Sequence, residues 1–174
     1  GYYRDVCVLA YQQRVPPENP GKPQVQASSA QDDGPAVQAV DANLGTWWVS
    51  AGDNSSDGPT NKSPQWLQLA FPEATTVGGV QVAGRPEYGP RICRLMALNE
   101  NDAWEQVLRF GVQDGKTATE HFAPITARTF RLEIAAAYDA RFPNAPRNVQ
   151  VAEWVLCDEA GAPVNGMRPG QPIS

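Results

Sequence analysis

The sequence predicts an all-β fold, an antiparallel β-sandwich with long loops, and three observations carry that prediction. Apolar residues recur with period two in several short runs. Turn-forming clusters separate those runs, and no stretch carries the 3.6-residue periodicity of an amphipathic helix. Gly 15 and Pro 16 exceed what helical domains tolerate, because proline lacks the N–H that helix interiors need.

Asp5 to Tyr11 reads as a first strand, ended by VPPENPGKP, whose prolines cannot continue a ladder. Gln65 to Phe71 places Leu67, Leu69 and Phe71 on one face, and Val77 to Ala83 aligns Val80 with Val82. Arg91 to Leu98 aligns Ile92, Met96 and Leu98 with Arg94. Thr129 to Ile134 alternates most clearly: Phe130, Leu132 and Ile134 point one way, Arg131 and Glu133 the other. Asn148 to Cys157 is apolar on both faces, as a strand covered on both sides would be. The expected organisation is a flanking strand and Pro-rich loop over 1–23, a sandwich over 24–157, and an extended tail over 158–174 that leaves it.

The chain has 174 residues, enough for one domain with a hydrophobic core. Its net charge is −5, and its cations are scattered among anions, so the basic stripe of a nucleic-acid binder is missing. Mean hydropathy is −0.43, and no apolar run reaches the roughly 18 residues of a membrane span. The strand-like opening carries no signal peptide, as expected of a processed chain or an excised domain. Cys7, Cys93 and Cys157 leave at least one thiol unpaired. They read either as small buried apolar residues or as a Cys7–Cys157 pair formed in an oxidising compartment.

No nucleophile elbow, phosphate loop or zinc motif is present, and the lone histidine, His121, reads as an ordinary strand residue. Composition leaves a two-carboxylate glycosidase open, although most of the acids sit in turns. The informative stretch is AVDANLGTWWVS. Asp41, Asn43 and Thr46 lie close together around a glycine, so a tight loop can aim oxygen donors at one centre. Such hard donors suit calcium. Glu153, among apolar neighbours and without a cation in its strand, is costly to bury alone, and a cation bridging Asp41 and Glu153 would resolve both. A plain turn and an edge glutamate is the competing reading.

ASS at Ala27 to Ser29, AVDANLGTWWVS, QWLQLAFP, VGGVQVAGR, ARTFRLEI and NVQVAEWVL resemble, in order, the blocks of the discoidin or coagulation factor V/VIII type C family, to which carbohydrate-binding module family 32 belongs. The resemblance implies a jelly-roll sandwich of the galactose-binding-domain-like, discoidin type. GYYRDVCVLAY and GRPEYGPRICRLMAL further look like the discoidin-type domain of bacterial glycoside hydrolases of family 106, the α-L-rhamnosidase kind. It also implies a structural calcium held by the carbonyls of Ala39, Asn43, Thr46 and Ala152, the Thr46 hydroxyl and the carboxylates of Asp41 and Glu153. Two departures stand out: Ala42 replaces the usual glycine and Asn43 a common aspartate. Trp48 matches the family's core tryptophan, while Trp47 alternates to the other side.

Sugar-binding members of this fold use loops at one end, with an arginine after the strand that Val77 to Ala83 resembles. Arg85 and Arg91 bracket the RPEYGPR loop, a pair of donor forks for vicinal hydroxyls or a carboxylate, and Tyr88 offers a flat face for a sugar ring. Supporting candidates are Trp47, then Asp53, Asn54 and Asp57 in the next loop, and Tyr138, Arg141 and Phe142, with Asp139 and Asn144, in AAAYDARFPNAPRN. The expected function is a non-catalytic carbohydrate-binding module, extracellular or periplasmic, holding a polysaccharide-degrading enzyme on its glycan. Its partners are that glycan, from a plant cell wall or a microbe, and the parent catalytic domain. Two alternatives stay open: a discoidin-type adhesion domain for lipid or protein, and a spacer that binds nothing.

Overall fold

The computed structural model describes residues 22–165 and 167–168. The first expected strand, its Pro-rich loop and the Cys7–Cys157 pairing lie outside the described residues. The elements are β1 (Gln24–Ala27), a 3-10 turn (Ala36–Ala39), β2 (Trp48–Val49), β3 (Gln65–Gly84), β4 (Pro90–Leu98), β5 (Trp104–Gly111), β6 (Thr117–Ala137) and β7 (Gln150–Cys157). All pairings are antiparallel, in the order β2-β7-β3-β6-β4-β5, with β1 added on β3.

The two long strands make the sandwich. Register between β3 and β6 breaks between Ala70 and Thr75. Before the break β3 pairs β1, and the matching end of β6 pairs β4; beyond it β3 pairs β7. One hydrogen-bonded ribbon therefore serves both layers, β1-β3-β6-β4-β5 and β2-β7-β3-β6, and a bulge is the ordinary device for such a bend. Leu67, Leu69, Leu95, Phe130, Leu132 and Ile134 from the first layer join Val80, Val82, Trp154 and Leu156 from the second in one buried cluster. This is the jelly-roll architecture that the sequence predicts. Trp48 is fully buried in that cluster, and its indole N–H donates to the Ser29 carbonyl at 2.8 Å, which removes the cost of burying the donor.

Several expectations change. The runs at 65–71 and 77–83 are one strand, because the bulge interrupts the alternation without interrupting the pairing. The run at 129–134 is the end of β6, which begins at Thr117 and includes the exposed His121. β5 carried no sequence signal: the consecutive apolar residues Val107 and Leu108 break the period of two, and the strand accommodates them by a register shift opposite Leu95 and Met96. Residues 158–165, expected to leave the sandwich, stay against it. Asp158 Oδ1 accepts the N–H groups of Ala160 and Ala162, Val164 donates to the Leu156 carbonyl, and Val164 is buried in the core. No helix among the described residues is long and apolar enough to cross a membrane.

Candidate functional site

Three loops meet at the end of the sandwich where β3 ends and β7 begins. In the first, Gly84 and Gly89 pack face to face; a Cβ built on Gly84 would stand 2.6 Å from the Gly89 Cα, so the RPEYGP loop closes only with glycine at both places. Backbone bonds fix it further: Tyr88 N to Arg85 O, Gln150 N to Tyr88 O and Tyr138 N to Gly89 O. Glu87 adopts φ +77, a strained conformation of the kind that persists only where surrounding contacts hold it. The second loop, after Ser50, locks onto the third through Ser56 N to Ala145 O and Gly58 N to Pro146 O.

Asp139 organises the third loop. Its carboxylate, 3 % exposed, accepts the backbone N–H groups of Arg141, Phe142 and Arg147 and a two-pronged contact from the Arg147 guanidinium at 2.9 and 3.1 Å. Burial alone would raise the Asp139 pKa, but the bonds from Arg147, Phe142 and Arg141 outweigh it and hold it down at about 2.

The loops enclose a cavity of about 330 Å³. Arg85 lines it, its guanidinium 4.6 Å from the Trp47 ring and 5.0 Å from the Tyr88 ring. Nη1 donates to Gln150 Oε1 at 2.9 Å, which orients the fork without using all of its donors. Gln150 Nε2 in turn donates to Asn148 Oδ1, and Asn148 Nδ2 to the Gly52 carbonyl. Asp33 and Asp53 line the cavity together with Arg85 and Arg147, of which Arg147 is already paired with Asp139. Fixed donors and acceptors beside aromatic rings suit a ligand that is hydroxyl-rich on its edges and C–H-rich on its faces.

Of the expected ligand residues, the structure brings Arg85, Tyr88, Trp47 and Asp53 together. Arg91 is not with them: it lines a neighbouring cavity of about 300 Å³ with Tyr138, because the closed loop turns its two ends to opposite sides. Tyr138 is committed there, its hydroxyl donating to the Val112 carbonyl. Asn54 and Asp57 are exposed and bond to each other within their turn. Arg141 stacks on Phe142, whose ring also meets Arg147, and neither Arg141 nor Phe142 is among the lining residues. Sequence reasoning missed Gln31, Asp33, Arg147, Asn148 and Gln150. The available signal was Asn148 and Gln150 themselves, buried polar residues in an otherwise apolar strand.

A second constellation lies on the outer side of β7. Glu153, 3 % exposed, sits under the loop that follows Ala39. Asn43 N donates to both Glu153 Oε1, at 3.0 Å, and Asp41 Oδ1, at 3.1 Å, while the Thr46 hydroxyl donates to Asp41 Oδ2. Asn43 Oδ1 accepts the Gly45 N–H, so the side chain shapes the turn. Ala42 has φ +60, the left-handed conformation that the usual glycine would adopt without strain. Glu153 Oε2 is buried with no hydrogen-bond partner. Burial first, and then contact with the Asp41 carboxyl, push the Glu153 pKa up to about 8, against the bonds from the Asn43 and Ala42 N–H groups. No group of three or more His, Cys, Asp or Glu residues clusters among the described residues, so a cation here would rely on carbonyl and hydroxyl oxygens beside the two carboxylates. An orphaned buried oxygen next to a second carboxylate fits a hard divalent cation such as calcium.

Residues 24–149 match the family described as F5/8 type C domain. Among solved structures, the chain is similar to the family 32 carbohydrate-binding module of C. perfringens NanJ in complex with galactose (19 % identity, 77 % of this chain and 92 % of that one, TM-score 0.62). It is also similar to chitosan-binding module 2 from the chitosanase/glucanase of Paenibacillus sp. IK-5, in complex with chitotriose (18 %, 79 % and 97 %, TM-score 0.60). A pectin-binding carbohydrate-binding module aligns over 87 % of this chain and 96 % of its own, at 15 % identity and TM-score 0.59. Among curated proteins none matches.

Proposed function

The chain belongs to the F5/8 type C, or discoidin, domain family, and from that premise we propose that it is a non-catalytic carbohydrate-binding module. Its task is to hold an appended polysaccharide-degrading glycoside hydrolase, of the α-L-rhamnosidase kind, on its glycan in an extracellular or periplasmic setting. Tethering of this sort raises the effective concentration of enzyme at its substrate. The observation that carries the reading is the loop-end cavity, where Arg85 is held between Trp47 and Tyr88 with donors to spare. Solved relatives in fold bind galactose, chitotriose and pectin.

Asp41, Thr46 and Glu153, with the carbonyls of Ala39, Asn43 and Ala152, are the groups that would hold a calcium ion. Bound there, the ion supplies positive charge to two adjoining carboxylates and fastens the loop that leads into Trp47 and Trp48. Its role is structural.

The lipid-adhesion alternative lacks an anchor among the described residues. Lipid-binding loops need exposed apolar spikes, whereas Trp47 and Phe142 are half-buried and stacked with arginines, and Val37 is the exposed large apolar side chain among the described residues.

A calcium-replete glycan array tests the proposal. Arg85→Ala and Tyr88→Ala should each weaken the retained glycan about tenfold or more, the loss of one charge-assisted bond or one stacking face. Arg91→Ala should leave it unchanged. Retention of glycan at parental affinity by both cavity variants, or no glycan retained at all, overturns the reading.

A further inference from the structure

The outward face of the first layer carries a second chemistry. Alternation sends Leu67, Leu69, Phe130, Leu132 and Leu95 into the core, so Trp66, Gln68, Arg131, Glu133, Arg94 and Met96 face away from it. On β5, Arg109 stands opposite Arg94, Gln106 opposite Met96 and Trp104 opposite Leu98. From β3 to β5 this surface is about 14 Å wide, three strand spacings.

At its centre the Arg131 guanidinium is clasped by two indoles, 3.8 Å from the Trp66 ring and 4.4 Å from the Trp104 ring. Its acceptor is a neutral amide, Gln68 Oε1, at 2.6 Å from Nη2 and 3.1 Å from Nε. Burial lowers the Arg131 pKa, and the field of Glu133 opposes that shift. Glu133 itself is engaged by Arg94 Nε at 3.0 Å, and Asn61 takes Arg94 Nη1. Glu105, farther along β5, is bonded by Asn99 Nδ2 at the strand end. Arg94 and Arg109 meet directly across the β4–β5 ladder, where like charges destabilise a sheet. A chain with net charge −5 thus gathers Arg94, Arg109 and Arg131 on one face against Glu133, a local excess of positive charge.

We infer that this face is a second glycan-binding surface, separate from the loop-end cavity, and that its ligand is an acidic polysaccharide, a polyuronate chain lying across β3, β6, β4 and β5. Carboxylates of the chain meet Arg109 and the unused donors of Arg94 and Arg131, and its sugar rings lie against the edges of Trp66 and Trp104. The inference shares with the proposed function only the premise that the domain binds sugar polymers. Its residues are different, so the two fail separately.

The test is affinity electrophoresis of the whole chain in native gels containing polygalacturonate, alginate or a neutral galactan. The acidic polymers should retard the parent, progressively less as salt is raised. Arg109→Gln, an exposed substitution, should weaken that retardation about tenfold. Trp104→Ala should do the same, with melting temperature recorded as its fold control. Arg85→Ala should leave the retardation intact while losing array binding. Retardation by neither acidic polymer overturns the inference, as it would if another protein or a second copy covers this face. So does retardation that Arg109→Gln leaves unchanged, or that Arg85→Ala abolishes.

Discussion

Glu153→Gln, set against the parent in excess chelator and in calcium, isolates the carboxylate pair beneath the Ala39 to Thr46 loop. In the metal-free chain the buried Glu153 carboxyl keeps its proton up to about pH 8, against an ordinary value of 4.5. Below pH 4.5 both folded and unfolded chains hold that proton, and the full stability is present. Between 4.5 and 8 the unfolded chain releases it while the folded chain retains it, so stability falls as pH rises and levels off above 8. Each pH unit of separation is worth about 1.4 kcal/mol. Relaxation and water around the pair reduce the total to about 2–4 kcal/mol. For a domain of this size that is a drop in Tm of roughly 5–15 °C between pH 5 and pH 8.5. Calcium should reverse the decline, because a bound cation replaces the proton and stabilises the native state by mass action. The calcium increment should therefore be larger at pH 8 than at pH 5. Glu153→Gln, neutral at every pH, should lack both this decline and the calcium response. Thermal melts followed by circular dichroism read all of it. A chelated parent whose Tm matches that of the variant at both pH values would refute the reasoning, as would equal calcium stabilisation of parent and variant.

Asp139→Asn should lower stability by about 2–3 kcal/mol in urea melts at pH 7, because Arg147 and the loop N–H groups lose their shared acceptor. Its folded pKa of about 2 lies below the ordinary 3.8, so the contribution is present above that value and lost as pH falls towards 2; the variant should lack this component of acid unfolding. Ala42→Gly should leave stability unchanged or raise it by up to about 1 kcal/mol despite glycine's greater freedom in the unfolded chain, since φ +60 strains alanine there; denaturant midpoints check it. Trp48→Phe should cost about 1 kcal/mol more than Trp154→Phe, because Trp48 donates to Ser29 whereas the Trp154 indole N–H has no partner to lose.

Local chemistry made much of this protein legible in its sequence. Period-two alternation marks Leu67, Leu69, Phe130, Leu132 and Ile134 as one buried set, since a strand's side chains alternate whatever it pairs with. The cost of burying an unpaired charge singled out Glu153, and the Asp41 loop that covers it was visible as a cluster of oxygen donors. Pairing across the sheet decided the rest. A break near Ala70 lets β3 and β6 serve both layers, and a register shift in β4–β5 hides a whole strand from any periodic reading. Two glycines packed face to face turn Arg85 inward and Arg91 away, so residues six apart in sequence line different cavities. Arg147, Asn148 and Gln150 reach Arg85 only because β7 begins beside the end of β3, and Trp66 meets Trp104 over Arg131 only because four strands align. Such contacts join segments far apart in the chain, and their geometry is fixed by register and packing, which no local pattern of residues encodes.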